Sequence, residues 1–221
     1  MKKVVLAYSG GLDTSVAVAW LKEQYGAEVV TLTVDLGGGS LRQGVEARAM
    51  SAGATRAYVV DGRDRFVTDF VWPHLQANAL YQGVYPLATA LARPLIAQLL
   101  VEVAKREGAD AVAHGCTGKG NDQVRFDVAT HALDPGLEVV APMRVGMGLS
   151  RDEEIDYAIE RGIEIPITKS SPYSIDANLW GRSIETGVLE DPWVAPPADV
   201  YQWTVDPSAA PDPIEVTITF E

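Results

Sequence analysis

The sequence predicts an α/β protein: an open parallel sheet of about five strands, ordered 3-2-1-4-5, with helices on both faces and an irregular C-terminal extension. Three observations carry this. Short apolar runs alternate with longer stretches of helical periodicity, as βαβ units require. Glycine-rich loops follow the first and fourth runs, which this strand order makes neighbours across the switch point where such sheets bind ligands. All Lys and Arg fall before residue 183, so a mixed-charge body precedes a tail of different character.

The elements follow in order. Lys3–Tyr8 reads as a buried strand stopped by Ser9-Gly10-Gly11, and a helix opens at Asp13-Thr14-Ser15, with Asp13 or Thr14 as N-cap, and runs to Gly26. Glu28–Val34 is a second strand, followed by Asp35 and the triple glycine Gly37–Gly39. Arg42–Ala52 is a helix, Ala57–Val60 a third strand, and 63–82 a helical stretch broken at Pro73. Leu87–Arg106 is the longest helix, kinked or restarted at Pro94. Ala111–Ala113 is a fourth strand entering the loop Gly115–Gly120. Asn121–Leu133 is helical, Leu137–Val140 is the fifth strand, and Asp152–Arg161 is a helix. The last residues, Glu215–Glu221, alternate polar and apolar like a half-buried strand.

Composition narrows the function classes. The 221 residues are 47% hydrophobic, enough for a core and against global disorder. No apolar run approaches the ~20 residues of a membrane span, and no signal h-region is seen, so a cytoplasmic protein without a membrane partner is expected. The single cysteine, Cys116, permits no internal disulfide, and His74, His114 and His131 lack ligand spacing, so no protein-held metal site is expected. The net charge of −12 divides unevenly: residues 183–221 carry eight acids, no base and six of the 13 prolines. Nucleic-acid binding is disfavoured, because phosphate affinity rests on Lys and Arg.

Ser9-Gly10-Gly11-Leu12-Asp13-Thr14-Ser15 is the most informative segment. Two glycines let backbone N–H groups approach an anion, hydroxyls add donors, and the following helix N-terminus favours negative charge. The spacing is neither a Walker A loop nor a Gly-x-Gly-x-x-Gly fingerprint. The plain alternative is a Gly-Gly turn with an Asp or Thr cap. In the second loop Thr117, Asn121, Asp122 and Arg125 offer the amide, hydroxyl, acceptor and donor groups that a polar α-amino acid needs; a capped helix with a solvated charged face is the plain alternative.

The first loop resembles that of the ATP pyrophosphatase (PP-loop) superfamily, and the fuller string Ala7–Ser15 resembles the argininosuccinate synthase family. Four further segments resemble the same family in order: Tyr85–Pro94, His114–Phe126, Thr168–Asp176 and Asn178–Ser183. The resemblance implies ATP-dependent joining of citrulline and aspartate through a citrullyl-adenylate, with release of pyrophosphate and AMP. It implies that Ala7, Tyr8, Ser9, Gly10, Gly11, Leu12, Asp13, Thr14 and Ser15 hold the ATP phosphates, while Val34 and Gly115 touch the nucleotide. Thr117, Asn121 and Asp122 would bind aspartate; Tyr85, Thr89, Asn121, Arg125, Ser174 and Ser183 would bind citrulline, with Ala90 an alternative to Thr89.

Mg²⁺ is expected with ATP. Arg125 and Lys119 would offset anionic charge, and no general base is named, since the ureido oxygen needs little assistance. Residues 1–166 are expected to form the nucleotide-binding domain and 167–221 the start of a synthetase domain. Family chains are longer and homotetrameric, so this one reads as a fragment or a shortened form, oligomeric when the C-terminal part is present. Residues Ala141–Gly146 lack the tryptophans the family often has there. The competing readings are a noncatalytic ATP-binding module and a tRNA-modifying PP-loop enzyme with Cys116 as nucleophile. A small loop residue is the favoured role for Cys116, because sulfur transfer needs a second thiol or a persulfide.

Overall fold

Residues 1–39, 43–118, 120–164, 173–209 and 213–219 are described by the structure, a computed structural model. Lys119, the start of the helix expected from Arg42, and residues 168–172 of the fourth motif lie outside the described residues. The chain divides into two compact units, Met1–Lys169 with Asp176–Ser183, and Ser170–Ile175 with Ile184–Glu221.

The first unit is built on strands β1 (Lys3–Ala7), β2 (Glu28–Asp35), β3 (Arg56–Asp61), β4 (Ala111–His114) and β5 (Glu138–Val140). They pair in parallel in the order β3-β2-β1-β4-β5, as expected. Period-2 alternation sends successive side chains of one strand to opposite faces. Val4 and Leu6 join a cluster with Val16, Ala17 and Leu21, whereas Val5 joins Leu95, Leu99 and Leu100 on the other face. Leu6 is fully buried, which contributes about 2 kcal/mol.

The first face is covered by α1 (Leu12–Tyr25), α2 (Val45–Ser51) and, beyond them, α8. Helix α8 spans Arg151–Glu160 and opens on a capping box: Ser150 Oγ accepts from the Glu153 N–H, and the Glu153 carboxylate accepts from the Ser150 N–H at 2.7 Å. The other face is covered by α3 (Arg63–Phe66), a π-turn at Val67–Val71 and the long α5 (Ala88–Glu107), with α4 (Trp72–Gln76) continuing from the π-turn. Helix α6 (Asp122–Leu133) follows β4, and a short α7 (Pro142–Val145), unforeseen in the sequence, follows β5.

Two helix expectations need correcting. Pro73 does not break the 63–82 stretch; it sits in the first turn of α4, where a missing N–H costs little. The adjustment precedes it, with the Trp72 N–H bonded to the Val67 carbonyl five residues back. The helical run ends at Gln76, ahead of Asn78 and Gln82 at positive φ. Pro94 lies inside an uninterrupted α5.

The extension holds one element that the sequence reading missed, a hairpin of β6 (Ser174–Asn178) and β7 (Gly181–Glu185). Its turn end belongs to the first unit. Asn178, 2% exposed, organises that turn: Oδ1 accepts from the N–H groups of Trp180 (2.8 Å) and Gly181 (3.1 Å), and Nδ2 donates to the Ala88 carbonyl (2.9 Å). Trp180 Nε1 donates to the Pro86 carbonyl, and the Leu179 N–H donates to the Leu36 carbonyl.

The triple glycine receives this turn. At Gly38 φ is +66°, and a Cβ there would collide with the Asn178 carbonyl. Backbone cannot give way as a flexible side chain does. Gly38→Ala is therefore expected to cost about 2–4 kcal/mol, left-handed strain included, read as a lower urea midpoint. A loss under about 0.5 kcal/mol, the scale of an ordinary surface substitution, would refute the close approach.

The second unit carries short 3₁₀ turns at Gly187–Glu190, Ala198–Val200 and Pro207–Ala209. The strand expected at Glu215–Glu221 does not form among the described residues: 215–219 carry no strand pairing, and Val216 and Ile218 are exposed. Alternation supplies a face, but a strand also needs a neighbour to receive its N–H and C=O groups. Phe220 and Glu221 lie outside the described residues.

Candidate functional site

The first glycine loop leaves the carboxyl end of β1 and becomes the first turn of α1. Gly11 is the N-cap, not Asp13 or Thr14 as expected, and no side chain caps the helix. The hydroxyls are engaged within the loop instead. Ser9 Oγ lies 3.1 Å from Thr14 Oγ1, and buried Tyr8 OH lies 2.8 Å from Ser15 Oγ. Thr33 Oγ1 donates to the Tyr8 carbonyl at 2.8 Å, tying the loop to β2. Gly10 has φ +72°, which only glycine adopts readily. The result is a helix N-terminus whose first N–H groups are left uncapped by side chains, beside an exposed Asp13.

The second loop starts against the first. A Cβ on Gly115 would lie 2.9 Å from Thr14 Cγ2, so the two loops meet where only glycine fits. His114, 1% exposed, holds this junction: Nδ1 accepts from the Cys116 N–H, and Nε2 lies 3.2 Å from Asp127 Oδ1. Burial pushes the imidazole pKa down, which favours the neutral ring with its proton on Nε2 toward Asp127. Arg144 Nη1 donates to Asp127 Oδ2 at 2.8 Å and to Gln123 Oε1 at 2.9 Å. These supports have no local signal in the sequence, where His114 reads only as a histidine without metal-ligand spacing. Burial raises the Cys116 thiol to about 11, with Arg93 opposing, so a thiolate nucleophile is disfavoured at neutral pH.

A charged cluster links α5, α6 and the hairpin. Arg93 donates from Nε to Asp122 Oδ2 at 2.9 Å and from Nη2 to Asp176 Oδ2. Asp122 Oδ1 in turn accepts from Arg125 Nη1 at 2.8 Å. One turn before Arg93 on α5, Thr89 Oγ1 lies 3.0 Å from Ser183 Oγ, which Tyr85 OH also reaches at 3.3 Å.

These contacts bring together Tyr85, Thr89 and Ser183, and separately Asp122 and Arg125; Arg93 and Asp176, absent from the expected set, join the second group. Thr117 and Asn121 are exposed on the second loop, and Asn121 is the N-cap of α6 without a side-chain cap bond. Val34 is half-buried near the end of β2. Ser174, exposed, belongs to the second unit, where its N–H donates to Thr186 Oγ1. Among the described residues no group of three or more His, Cys, Asp or Glu is placed to hold a metal, and no helix is long and apolar enough to cross a membrane.

A parallel sheet ordered 3-2-1-4-5, with two glycine loops touching at the ends of its adjacent β1 and β4, defines a doubly wound α/β protein, a class whose ligands bind at the switch point of the sheet. The family model of the arginosuccinate synthase N-terminal HUP domain matches residues 3–164, and that of the arginosuccinate synthase C-terminal domain matches residues 173–221. The chain belongs to the argininosuccinate synthase family.

The argininosuccinate synthase of Symbiobacterium thermophilum is 58% identical over 222 residues, covering 100% of this chain and 55% of its own length. That of Dictyoglomus turgidum is 57% identical over 216 residues, covering 98% of this chain and 54% of its own length. The chain thus spans about half the length of the curated relatives it matches. Among solved structures, the NAD+ synthetase of Burkholderia pseudomallei aligns with 77% of this chain and 70% of its own, at 16% identity and a TM-score of 0.47.

Proposed function

We propose that this chain binds ATP at Ala7–Ser15, with Val34 and Gly115 against the nucleotide, and carries the corresponding part of an argininosuccinate synthase site. The observation that most supports this is the uncapped N-terminus of α1 on a glycine loop abutting Gly115. Such a terminus offers N–H donors and a positive dipole end to a polyanion. Mg²⁺ is proposed to enter with ATP, whose phosphate charge it would offset.

In the proposed reaction the citrulline ureido oxygen attacks the α-phosphorus and pyrophosphate leaves. The aspartate amine then attacks the activated carbon and AMP departs. Tyr85, Thr89, Arg125, Ser174 and Ser183 are proposed to bind citrulline, Thr117 and Asp122 aspartate, and Asn121 both. The Tyr85–Ser183 and Thr89–Ser183 contacts support a shared polar pocket wall. Arg125 supplies a fixed positive charge for a substrate carboxylate. No side chain is assigned as a general base; holding the reactants in line does most of the work. Residues 1–166 are proposed as the nucleotide-binding domain and 167–221 as the beginning of the synthetase domain, in a cytoplasmic protein that is homotetrameric when the C-terminal part is present.

The test is direct. Purified chain with Mg²⁺, ATP, citrulline and aspartate is expected to form AMP, pyrophosphate and argininosuccinate, measured by mass spectrometry. ATP binding by calorimetry without AMP formation would favour a second reading, a nucleotide-binding part that is inactive alone; the half-length coverage of the relatives favours keeping it. No ATP binding at all would overturn both.

A further inference from the structure

We propose that Glu154 is a positioning residue of the glycine loop, carrying a proton that it shares with Asp13 and so holding that carboxylate at the N-terminus of α1. Its functional meaning rests on the proposed ATP loop, but the pair itself does not. Of the three acids in the first turn of α8, Asp152 and Glu153 are exposed, and Glu153 serves the capping box. Glu154 is turned inward with Ala158 one turn later, toward α1, and is only 3% exposed. Its Oε1 has no hydrogen-bond partner.

Among the described residues, the charged groups facing it are Asp13 from α1 and Arg151 from its own helix, the latter exposed. An ionised carboxylate buried beside another carboxylate, with one oxygen lacking a donor, is strongly disfavoured. Burial first, then Asp13, raise the Glu154 acid to about 8, with Arg151 opposing.

Asp13 is exposed and stands in the first turn of α1. Glu154 therefore keeps its proton, and a carboxylic acid hydroxyl facing a carboxylate makes a charge-assisted hydrogen bond. Ionisation of Glu154 releases its proton to solvent and sets two negative charges against each other at the loop. Asp13 would then be pushed away from α8.

Carboxyl ¹³C NMR of the full chain, labelled at glutamate and followed from pH 4 to 10, tests the pair. One glutamate is expected to titrate near 8, to be missing in E154Q, and to titrate lower in D13N. A Glu154 midpoint in the ordinary carboxylate range, or one unmoved by D13N, overturns the proposal. The second readout is ATP affinity against pH: wild type is expected to weaken roughly tenfold from pH 7 to 9.5. E154Q should lack that alkaline fall, because its amide donates to Asp13 and does not ionise. Equal pH profiles in wild type and E154Q overturn the positioning role. Absence of ATP binding at every pH overturns the nucleotide reading instead, and the carboxyl titration still decides the pair.

Discussion

Arg93→Met is expected to lower stability by about 2–3 kcal/mol and to weaken the amino-acid half of the site roughly a hundredfold. The guanidinium is 18% exposed and bridges Asp122 on α6 and Asp176 on β6, two carboxylates that each remain about a third exposed. Removing one partner of a fully buried pair costs about 3–5 kcal/mol; residual solvent access to both acids brings the figure down. Met preserves most of the stem packing, so the loss isolates the charge.

The functional effect comes through Asp122. Without Arg93 its carboxylate is left to Arg125 alone, at 2.8 Å, which draws that arginine away from a substrate carboxylate. Arg93→Lys should recover only part of the stability, because one ammonium does not reproduce a planar fork between two acids. Urea midpoints read the first effect, and aspartate and citrulline saturation curves read the second. A methionine variant with wild-type saturation would show that the ion network is structural only.

The sheet was legible because its signals are local. Apolar runs, glycine stops and helical periodicity each occupy a short window, and glycine loops after the first and fourth strands fit the doubly wound order in which those strands are neighbours. What escaped depends on distant partners. The Leu179-Trp180 turn has none of the Asn-Gly chemistry that marks a hairpin, and its conformation is set by Asn178 reaching Ala88, 90 residues away. Arg93 and Asp176 are 83 residues apart. Asp13 and Thr14 are good N-cap residues by type, yet the cap falls on Gly11, so the helix N–H groups are not consumed by side chains. Glu154 reads in sequence as one more acid at a helix start, and only burial against α1 distinguishes it from its neighbours.

The quoted motifs also acquire a physical reason for occurring together. Tyr85–Thr89 and Asn178–Ser183 contact each other through Asn178–Ala88, Trp180–Pro86 and Thr89–Ser183. Ser9–Ser15 and His114–Cys116 meet at Thr14 and Gly115. Each motif supplies a surface that the other requires.

Gly11→Val is expected to abolish ATP binding, a fall of at least roughly 10²-fold, while leaving the fold within about 0.5 kcal/mol of wild type. The backbone at Gly11 is extended, with φ −85° and ψ −179°, a conformation any residue adopts. A branched side chain there meets no conformational penalty, but it stands at the N-cap beside the donors that the phosphates need. Loss of two charge-assisted hydrogen bonds at about 1.5–3 kcal/mol each accounts for the expected factor. Gly10 makes the complementary demand. Its φ of +72° is left-handed, so Gly10→Val adds about 1–2 kcal/mol of strain to the same loss of binding. The two variants therefore separate backbone conformation from access: both lose ATP by calorimetry, but only the Gly10 variant unfolds at lower urea. Retention of ATP affinity within threefold by Gly11→Val would mean that the anion does not sit at the N-terminus of α1, and the assignment of this loop would fall with it.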